Sequence, residues 1–385
     1  MSWETIAFSE LVEFPPKISL EKDELYDNIP MDVVDGGIKY VQEINQRVYT
    51  GGGAKFGNGD TIFARITPCL ENGKIAKVKG LEKEVGFGST EFFVFRAIEN
   101  ISDPDFIYYL AKTDLVRQPA IKSMVGASGR QRADKGVVEQ IKVPNIPLPT
   151  QRKIASILSA YDDLIENNLK RIKLLEEKAF LRYKQIVREE RMDEFLIEEV
   201  CETLGGGTPS TGDRRFWDDG EILWFSPTDL TKHHSIVLLD SEKKITELGL
   251  QKSSAKLVPP KTILMTSRAS IGYFGLINKP ASTNQGFINI IPFNENHRAY
   301  MLFDLKNRKE EIIGNANGST FLEISKGKFR QMKIKLPKNE KVLIDFEQEF
   351  EVTFNFIENL LKQNTKLREA RNILLPKLMN GQIEV

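Results

Sequence analysis

Two stretches of the chain carry apolar positions at the spacing of a long amphipathic helix. In the first, steps of three and four residues join Leu158, Tyr161, Ile165, Asn168, Ile172, Leu175 and Ala179. In the second, steps of four and three residues join Phe346, Phe350, Thr353, Ile357, Leu360, Asn364, Leu367, Arg371 and Leu374. A heptad seam of this kind predicts that each helix packs lengthwise against another helix.

Polar and proline residues set the expected limits of these helices. Thr150 is predicted to be the N-cap of the first helix, which meets no proline before residue 190. The second helix is expected to follow Asn339 and to end or kink at Pro376. Asn168 and Asn364 are isolated polar members of the seams, of the kind that fixes register. Two long helices joined through a globular domain most simply run antiparallel.

The same two segments close an internal repeat whose period is half the chain. Pairs at an offset of 191 residues are Tyr109 with Tyr300, Lys135 with Lys326, and Gln140 with Gln331. The helical seams repeat at an offset of 192 residues. Upstream the match is looser, with Ser89-Thr90 opposite Ser282-Thr283. A period this long predicts two related globular domains, each followed by the same kind of helix.

These patterns divide the chain into four segments. We expect a first domain over 1–149, a central helix over 150–190, a second domain over 191–338 and a C-terminal helix over 339–385. Short alternating runs at 141–143 and 332–334 predict a strand at the end of each domain, closed by prolines.

Composition is that of an ordinary globular protein, with 385 residues of which 41% are hydrophobic and 28% are charged. The two cysteines share no metal-ligand spacing with the three histidines, so a disulfide framework and a zinc site are not predicted. No window approaches the ~20 apolar residues that span a bilayer, and the N-terminus lacks a secretory pattern. We expect a soluble, cytoplasmic protein without a membrane partner.

Catalytic motifs are missing from the sequence. It contains no Walker A element, no Gly-x-Ser-x-Gly elbow, no His-Glu-x-x-His and no Asn-Pro-Pro-aromatic tetrapeptide. The cluster Gly51-Gly52-Gly53 does not open a helix and no Lys-Ser/Thr closes it, so it is interpreted as a flexible surface loop that could lie against a DNA backbone. The sequence therefore predicts no catalytic residue and no metal site.

Charge is balanced over the whole chain, with 54 basic and 54 acidic residues, but it is unevenly distributed. Residues 1–43 hold ten acidic and three basic side chains (net −7), whereas 252–338 hold fifteen basic and five acidic (net +10). Both halves place a basic stretch with glycines just before the long helix. This position in both repeats favours a phosphate-contacting surface over a merely solvated face. The helices are nearly neutral, which suits contact with proteins.

Short motifs complete the pattern. The second half contains Gly205-Gly-Gly-Thr208-Pro209-Ser210, Trp224-Phe-Ser-Pro-Thr-Asp229, Thr266-Ser-Arg268-Ala-Ser-Ile-Gly272 and Thr283-Asn-Gln285-Gly-Phe287. The first half contains Gly59-Asp60-Thr-Ile-Phe63-Ala-Arg65, Gly88-Ser89-Thr90-Glu91-Phe92 and Pro147-Leu-Pro-Thr-Gln151-Arg152. In their order and duplication, over essentially the whole chain, these motifs resemble the specificity subunits of type I restriction–modification systems.

The resemblance implies an α+β fold with two repeated α/β target-recognition domains, joined by two long antiparallel coiled-coil-like helices in a pseudo-twofold arrangement. It implies that each domain reads one half of a bipartite double-stranded DNA target through the major groove, and that the helix pair sets the spacer. The implied partners are two modification (methyltransferase) subunits, with restriction (motor-nuclease) subunits added for cleavage. S-adenosylmethionine, ATP and Mg are expected on those partners, and this chain is expected to be non-catalytic and to hold no cofactor.

Candidate DNA-binding residues follow from base-edge chemistry, in which Arg and Lys suit guanine, Asn and Gln suit adenine, and Ser and Thr are adaptable. In the first domain they are Arg65, Lys74, Ser89, Thr90, Arg130, Gln131 and Arg132. In the second they are Arg268, Ser270, Tyr273, Asn284, Gln285 and Thr320. Several belong to motifs shared across different targets, so positioning of the DNA backbone is their alternative role.

Candidate residues for helix packing and partner binding are the apolar seam positions Leu158, Tyr161, Ile165, Ile172, Leu175, Phe350, Ile357, Leu360, Leu367 and Leu374. Trp217 and Trp224 are expected in the core, as are Phe92, Phe93 and Val94. Two other functions stay open at this point. One is a coiled-coil adaptor whose repeated domains bind protein or glycan, and the other is a self-contained methyltransferase or nuclease, which would need a cofactor or metal site that the sequence does not display.

Overall fold

The computed structural model describes residues 3–127, 129–233, 235–318 and 322–385. They form two compact units. Unit 1 comprises Met1–Asn167 together with Asn364–Val385, and unit 2 comprises Asn168–Gln363. Each long helix therefore contributes one part of its length to each unit.

Unit 1 is built from short strands followed by helices. Its strands are β1 (Thr5–Ala7), β2 (Val12–Glu13), β3 (Leu25–Ile29), β4 (Asn45–Val48), β5 (Ala54–Gly57), β6 (Thr61–Ala64), β7 (Ile75–Lys77), β8 (Val85–Gly88), β9 (Phe92–Ala97) and β10 (Lys142–Pro144). Its helices are α1 (Pro104–Lys112), α2 (Asp114–Lys122), α3 (Lys135–Glu139) and the first part of α4 (Leu148–Glu189).

The strands of unit 1 form three sheets, in the orders β2-β9-β6-β7, β4-β3-β8-β5 and β1-β10. Alternate side chains of β6 and β9 point to opposite faces of their sheet. Phe63 and Phe95 belong to the core that also contains α1. Ile62 and Val94 belong to a second core, shared with the sheet of β3, β5 and β8. The central sheet is therefore covered on both faces.

Unit 2 also has helices after its main strands, but further short helices lie among the strands. Its strands are β11 (Met192–Leu196), β12 (Cys201–Gly205), β13 (Ile222–Phe225), β14 (Val237–Leu238), β15 (Lys243–Ile245), β16 (Ile263–Thr266), β17 (Phe274–Ile277), β18 (Ala281–Thr283), β19 (Phe287–Pro292) and β20 (Lys333–Pro337). Its helices are α5 (Ile197–Val200), α6 (Pro227–Thr231), α7 (Glu247–Gln251), α8 (Arg298–Asn307), α9 (Lys309–Gly314), α10 (Lys326–Arg330) and the first part of α11 (Glu340–Met379).

The sheets of unit 2 repeat those of unit 1. The orders are β12-β19-β16-β17-β14, β15-β13-β18 and β11-β20. In both units the second of these sheets contains a parallel pair, β3 with β8 and β13 with β18. The predicted repeat of two α/β domains is confirmed, and so are the strands expected before each long helix.

Strand pairing corrects the upstream alignment of the repeat. Ala64 lies opposite Phe92 in unit 1, and Thr266 lies opposite Phe287 in unit 2. Counting back from these phenylalanines places Ser89 and Thr90 opposite Asn284 and Gln285 of the other repeat. The predicted match with Ser282-Thr283 was wrong by two residues, because these residues lie within β18, whereas Ser89 and Thr90 lie in the turn that follows the equivalent strand β8.

The start of α4 differs from the prediction, whereas α11 begins at Glu340, directly after Asn339, as predicted. The helix α4 begins at Leu148, so Thr150 lies inside its first turn and is not the N-cap. Pro149 is compatible with this start because the first turn of a helix needs no backbone N–H donors. The helix α11 continues through Pro376 to Met379. Pro376 is exposed, so solvent is available to the backbone groups that the proline leaves unpaired.

Gln151, from the motif that resembled the start of a central helix, ties α4 to its domain. Its side chain is buried and its amide donates to the carbonyl oxygens of Ile146 and Ile101 at 2.8 and 3.1 Å. Its amide oxygen accepts from the backbone N–H of Asp103, the N-cap of α1, at 3.0 Å. One side chain thus satisfies three backbone groups at the junction of domain and helix.

Within each unit the two long helices run antiparallel. In unit 1, Leu158 of α4 shares a core with Leu375 and Leu378 of α11. One turn after Leu158, Asp162 pairs with Arg371, which lies one turn before Leu375. In unit 2, Arg171 lies over the ring of Phe356, and Arg182 pairs with Glu349. Seam residues fill these contacts. Buried are Leu158, Ile165, Ile172, Phe350, Ile357 and Leu360, and partly buried are Tyr161, Leu175, Leu367 and Leu374.

Candidate nucleic-acid interface

Glu91, in the turn before β9, forms an ion cluster with Arg65 and Arg132 at the surface of unit 1. Glu91 accepts from Arg132 through both carboxylate oxygens, at 2.7 to 3.0 Å, and lies 3.4 Å from Nε of Arg65. The two guanidinium groups hold the pKa of Glu91 below its usual range, mainly through the hydrogen bond from Arg132. Arg65 is one-third exposed and Arg132 about half exposed, so both keep a face toward solvent while one carboxylate orients them.

Two shallow clefts flank this cluster. Arg65, Thr90 and Lys135 line the first, of about 400 Å³. Ser89 and Thr90 line the second, of about 370 Å³. The clefts share Thr90 and the loop residue Gly53, so the predicted serine and threonine lie beside the arginines.

The glycine cluster borders the same surface. Gly51, Gly52 and Gly53 all adopt positive φ angles, a conformation that side chains disfavour. At Gly53 a Cβ atom would also come within 2.6 Å of the carbonyl oxygen of Gly88. The cluster is therefore a shaped loop packed against β8, and its backbone lines the cleft next to Thr90.

Unit 2 gathers four of its predicted residues into one cleft of about 340 Å³. Its lining includes Arg268, Ser270, Asn284 and Gln285. Arg268 pairs with Glu323 at 2.7 Å, and the hydroxyl of Thr208 donates to the side-chain oxygen of Gln285. The donors and acceptors are thus fixed on three separate loops around one opening, an arrangement suited to reading base edges or phosphates.

The two interfaces occupy equivalent places in the repeat. Arg65 follows β6 and Arg268 follows β16, while Ser89-Thr90 and Asn284-Gln285 precede β9 and β19. Ile66 forms a bridge with Arg132 in unit 1, and Arg268 forms the corresponding bridge with Glu323 in unit 2. The loop that contains Arg132 therefore supplies an arginine to the ion pair of unit 1, whereas the corresponding loop of unit 2, which contains Glu323, supplies a carboxylate.

The structure places the remaining candidates elsewhere. The ammonium group of Lys74 donates to the carbonyl oxygens of Met31 and Asp32, at 2.7 and 3.4 Å, so its side chain bridges backbone segments. Gln131 exchanges hydrogen bonds with Thr67 through its backbone, next to the exposed Arg130. Tyr273 is exposed beneath the ammonium of Lys309, 4.2 Å from the ring centroid, and does not line the cleft of Arg268. Thr320 lies outside the described residues.

Part of the basic stretch before the second helix is engaged within the protein. Arg330 donates to the hydroxyl and carbonyl oxygens of Thr203 at 2.6 and 2.8 Å, and Lys333 pairs with Glu194 at 2.6 Å. Its counterpart Lys135 pairs with Glu139 at 3.0 Å and also lines the cleft of Arg65. The equivalent residue of unit 2, Lys326, is exposed as well.

Several residues of these sites were not among the candidates. Glu91 and Glu323 orient the arginines, and Thr208, Thr228 and Thr231 lie at or beside the cleft of unit 2. Glu91, Thr208 and Thr228 stand in the motifs that carried the resemblance, so membership in a motif was an available signal. Selection of cations and amides that can bind base edges does not find the carboxylates that position them.

The tryptophans and the strand phenylalanines lie in the core as predicted. Trp224 is buried, its indole N–H donates to the carbonyl oxygen of Gly207, and Trp217 packs edge-on against it. Phe92, Phe93 and Val94 are buried in β9. Among the described residues, no group of three or more histidine, cysteine or acidic side chains is placed to hold a metal ion. Within the same ranges, no helix has an apolar stretch that would span a bilayer.

Both long helices also present apolar side chains to solvent. On α4, Leu174 and Leu181 are 63% and 67% exposed and stand two turns apart on one face. On α11, Val352 is 72% exposed. All three belong to unit 2. Exposed leucines at helical spacing mark a surface suited to a protein contact.

Comparison with known proteins places these features in a family. The family model described as the type I restriction modification DNA specificity domain matches residues 1–177 and again 189–375. The chain is 34% identical over 175 residues to the MjaIX specificity subunit of Methanocaldococcus jannaschii, a match covering 45% of this chain and 39% of that protein. It is 25% identical over 190 residues to the HindI specificity subunit of Haemophilus influenzae, covering 49% and 40%.

The aligned regions thus span about two fifths of the length of these two curated relatives. A crystal structure of the type I restriction–modification S subunit from M. genitalium superposes with a TM-score of 0.54 at 15% sequence identity, covering 98% of this chain and 96% of that one. That likeness supports the fold. With the family model matching both halves, the chain belongs to the type I restriction modification DNA specificity domain family and carries its domain twice.

Proposed function

We propose that the chain is the DNA-specificity subunit of a type I restriction–modification complex. Each target-recognition domain, 1–149 and 191–338, reads one half of a bipartite double-stranded target. The helices at 150–190 and 339–385 set the spacer and dock two modification subunits, and restriction subunits join for cleavage. The chain works in the cytoplasm as a non-catalytic subunit, with S-adenosylmethionine, ATP and Mg bound by its partners.

The observation that carries this proposal is the pair of equivalent clefts. In both units, loops after β6 or β16 and before β9 or β19 bring an arginine next to small polar or amide side chains. Guanidinium groups held by a carboxylate are preorganised for bidentate contact with guanine or phosphate. We assign Arg65, Thr90 and Arg132 in unit 1, and Arg268, Ser270, Asn284 and Gln285 in unit 2, as DNA-contacting residues.

Ser89, Arg130 and Gln131 are proposed as neighbouring backbone contacts. Lys74 and Tyr273 are proposed to have weaker roles, because Lys74 already bonds two carbonyl oxygens and Tyr273 lies under Lys309. The partner surface is supported by the exposed leucines of α4, while the buried seam residues hold the helices together.

DNA binding by the complex reconstituted with its modification subunits tests the proposal. Affinity should fall steeply as salt rises, because phosphate contacts release counterions. Arg268→Gln should weaken binding to the cognate site about tenfold. Lys279→Gln is a matched control, because Lys279 is an exposed cation at the opposite end of the antiparallel β16–β17 pair. Binding that ignores salt, or that is equal in the two variants, would contradict the assignment and favour the adaptor.

A further inference from the structure

A further cleft lies in unit 1, and none of the residues assigned to DNA contact lines it. It has a volume of about 780 Å³ and is formed by the segment at Gly36-Gly37, the start of α2, the N-terminal segment at Trp3 and the last turns of α11. All of its lining residues belong to unit 1. Sites that bind small organic molecules have volumes of about 300 to 1,000 Å³, so this cleft is large enough for one.

Cationic side chains dominate the polar part of the lining. They are Lys112, Arg117, Lys142, Arg368 and Arg371, against the carboxylates of Glu71 and Asp114. Asp162 pairs with Arg371, and Asp35 is a charged neighbour of Arg368. Counting both, basic groups still exceed acidic groups, by five to four.

Three hydrogen-bond donors of this lining have no acceptor among the described residues. They are Nε1 of Trp3, Nε of Arg117 and Nε of Arg368, and all three atoms are buried. The other end of Arg117 donates to the carbonyl oxygen of Glu71 at 3.2 Å, which holds its guanidinium in place. Buried donors without an acceptor are costly, and a carboxylate or phosphate in the cleft would offset part of that cost through its attraction to the two guanidinium groups.

The rest of the lining is apolar. Trp3, Ile75, Leu115, Leu375 and Met379 contribute to it. A free inorganic anion would leave these side chains without contact, whereas an anion attached to an apolar body would cover them and bring its charge to the arginines.

Unit 2 has apolar residues at three positions that correspond to charged residues of this part of unit 1. At the repeat offsets, Lys112 corresponds to Phe303, Asp162 to Phe354 and Arg371 to Ala179. Phe303 and Phe354 are buried in the main core of unit 2 together with Ala179. At these three positions the charged residues of unit 1 are therefore not imposed by the shared fold, whereas Arg117 and Arg368 correspond to the polar residues Arg308 and Glu176.

We propose that this cleft binds an organic oxyanion, a carboxylate or phosphate joined to an apolar body, with Arg117 and Arg368 as its charge partners. Trp3 and Leu375 contact the apolar body, and Lys112, which donates to the carbonyl oxygen of Gly36 at 2.7 Å, lines the same cleft. The site is separate from DNA recognition, so it can exist whether or not the proposed specificity role is correct.

Phenyl phosphate, benzoate, inorganic phosphate and benzyl alcohol are the probes, titrated into the full chain. Tryptophan fluorescence is the readout, since Trp3 lines the cleft while Trp217 and Trp224 lie in unit 2. Phenyl phosphate or benzoate should change the signal saturably, and Trp3→Phe should remove the change. Binding of phenyl phosphate alone identifies a phosphate ligand, binding of benzoate alone identifies a carboxylate ligand, and binding of both identifies the shared oxyanion chemistry. Inorganic phosphate and benzyl alcohol should bind at least about tenfold more weakly.

Arg117→Gln and Arg368→Gln should each weaken binding of the preferred probe about tenfold. Lys122→Gln and Lys366→Gln are matched controls, because they are exposed cations on the same helices, and they should leave affinity unchanged. A rise in melting temperature on adding the probe, lost in Lys112→Phe, gives an independent measure should an arginine variant fold poorly. The absence of saturable binding by either anion, or equal binding by arginine and control variants, would overturn the proposal.

Discussion

The two units hold their long helices by different means on one repeated fold. In unit 1 the contact is polar: Arg371 of α11 pairs with the buried Asp162 of α4, which also accepts from the hydroxyl of Tyr109 at 2.6 Å. In unit 2 it is aromatic: Phe303 packs against Tyr183 of α4 and against Phe350 of α11. The shared backbone therefore determines where each helix packs, and the side chains determine whether that contact is a closed apolar core or is bordered by a charged cleft.

A second difference concerns where each unit places its buried arginine. Arg298 of α8 in unit 2 reaches Glu347 and Glu351 of α11, both at 2.5 Å. Arg371 of unit 1 is itself on α11 and reaches back to α4. Each unit thus buries a guanidinium against carboxylates near the helix pair, with the charges on opposite partners.

The largest expected effect comes from placing a unit 1 residue in unit 2. Phe303→Lys buries a cation in an aromatic core with no counterpart to Asp162, and should cost unit 2 about 5 kcal/mol of unfolding free energy. Phe303→Leu, which keeps the core apolar, should cost about 1.5 kcal/mol or less. Urea unfolding followed by circular dichroism measures both, and equal losses would show that charge is not the cause.

Breaking the polar contact of unit 1 should be somewhat less costly. Asp162→Ala strands Arg371 and the hydroxyl of Tyr109, and we expect a loss of about 3–5 kcal/mol. The double variant Asp162→Phe with Arg371→Ala installs the residues of unit 2 and should recover most of that loss. If the double variant is as unstable as Asp162→Ala, the two packing solutions are not interchangeable. Chemical denaturation with separate probes for each unit is needed, because two units need not unfold together.

The recognition clefts offer a third test, which depends on the proposed function. Glu91 orients two arginines and Glu323 orients one. Glu91→Gln should therefore lower the ratio of specific to non-specific DNA affinity about tenfold, and Glu323→Gln by less. Released arginines still attract phosphates, so non-specific binding should not weaken. Competition binding with cognate and scrambled duplexes measures the ratio, and an unchanged ratio in both variants would remove the carboxylates from DNA recognition.

The smallest effect is a dependence of stability on pH. Burial, with help from the nearby Arg371, lowers the pKa of Lys112 to about 7 from its ordinary 10.5, while Asp162 and Asp35 act in the opposite direction. Between these two values the unfolded chain binds a proton that the folded chain does not. Stability should consequently rise with pH across this window, and the cost of the buried cation should be fully present below pH 7. Lys112→Phe should flatten this slope in melting curves at pH 6, 7.5 and 9, whereas an unchanged slope would assign it to other groups.

Much of the fold was accessible from the pattern of the sequence. The heptad seams located both helices, and the offset of 191 residues located the repeated domains, because a buried stripe and a duplicated core both constrain residue type strongly. The helix limits were harder to predict. The helix α4 begins at Leu148, directly after Pro147, and α11 continues past Pro376, which is exposed.

The residue types of the candidate site could be predicted from the sequence better than the contacts of each residue. Arg268, Ser270, Asn284 and Gln285 do share a cleft. Lys74 was chosen for its charge, but its ammonium is taken by two carbonyl oxygens that lie more than forty residues away in the sequence. Such contacts depend on tertiary structure. The same holds for the cleft of unit 1, whose lining comes from segments at both ends of the chain.

The central claim is that each unit reads one half of a bipartite target. Single-molecule sequencing of DNA methylation in a host that expresses this chain with its modification subunit tests it most directly. The account predicts one methylated motif with two half-sites and a fixed spacer. It also predicts that Arg268→Gln changes or relaxes one half-site, and that Lys279→Gln changes neither. Absence of a bipartite motif, or a change in both half-sites with Arg268→Gln, would contradict it.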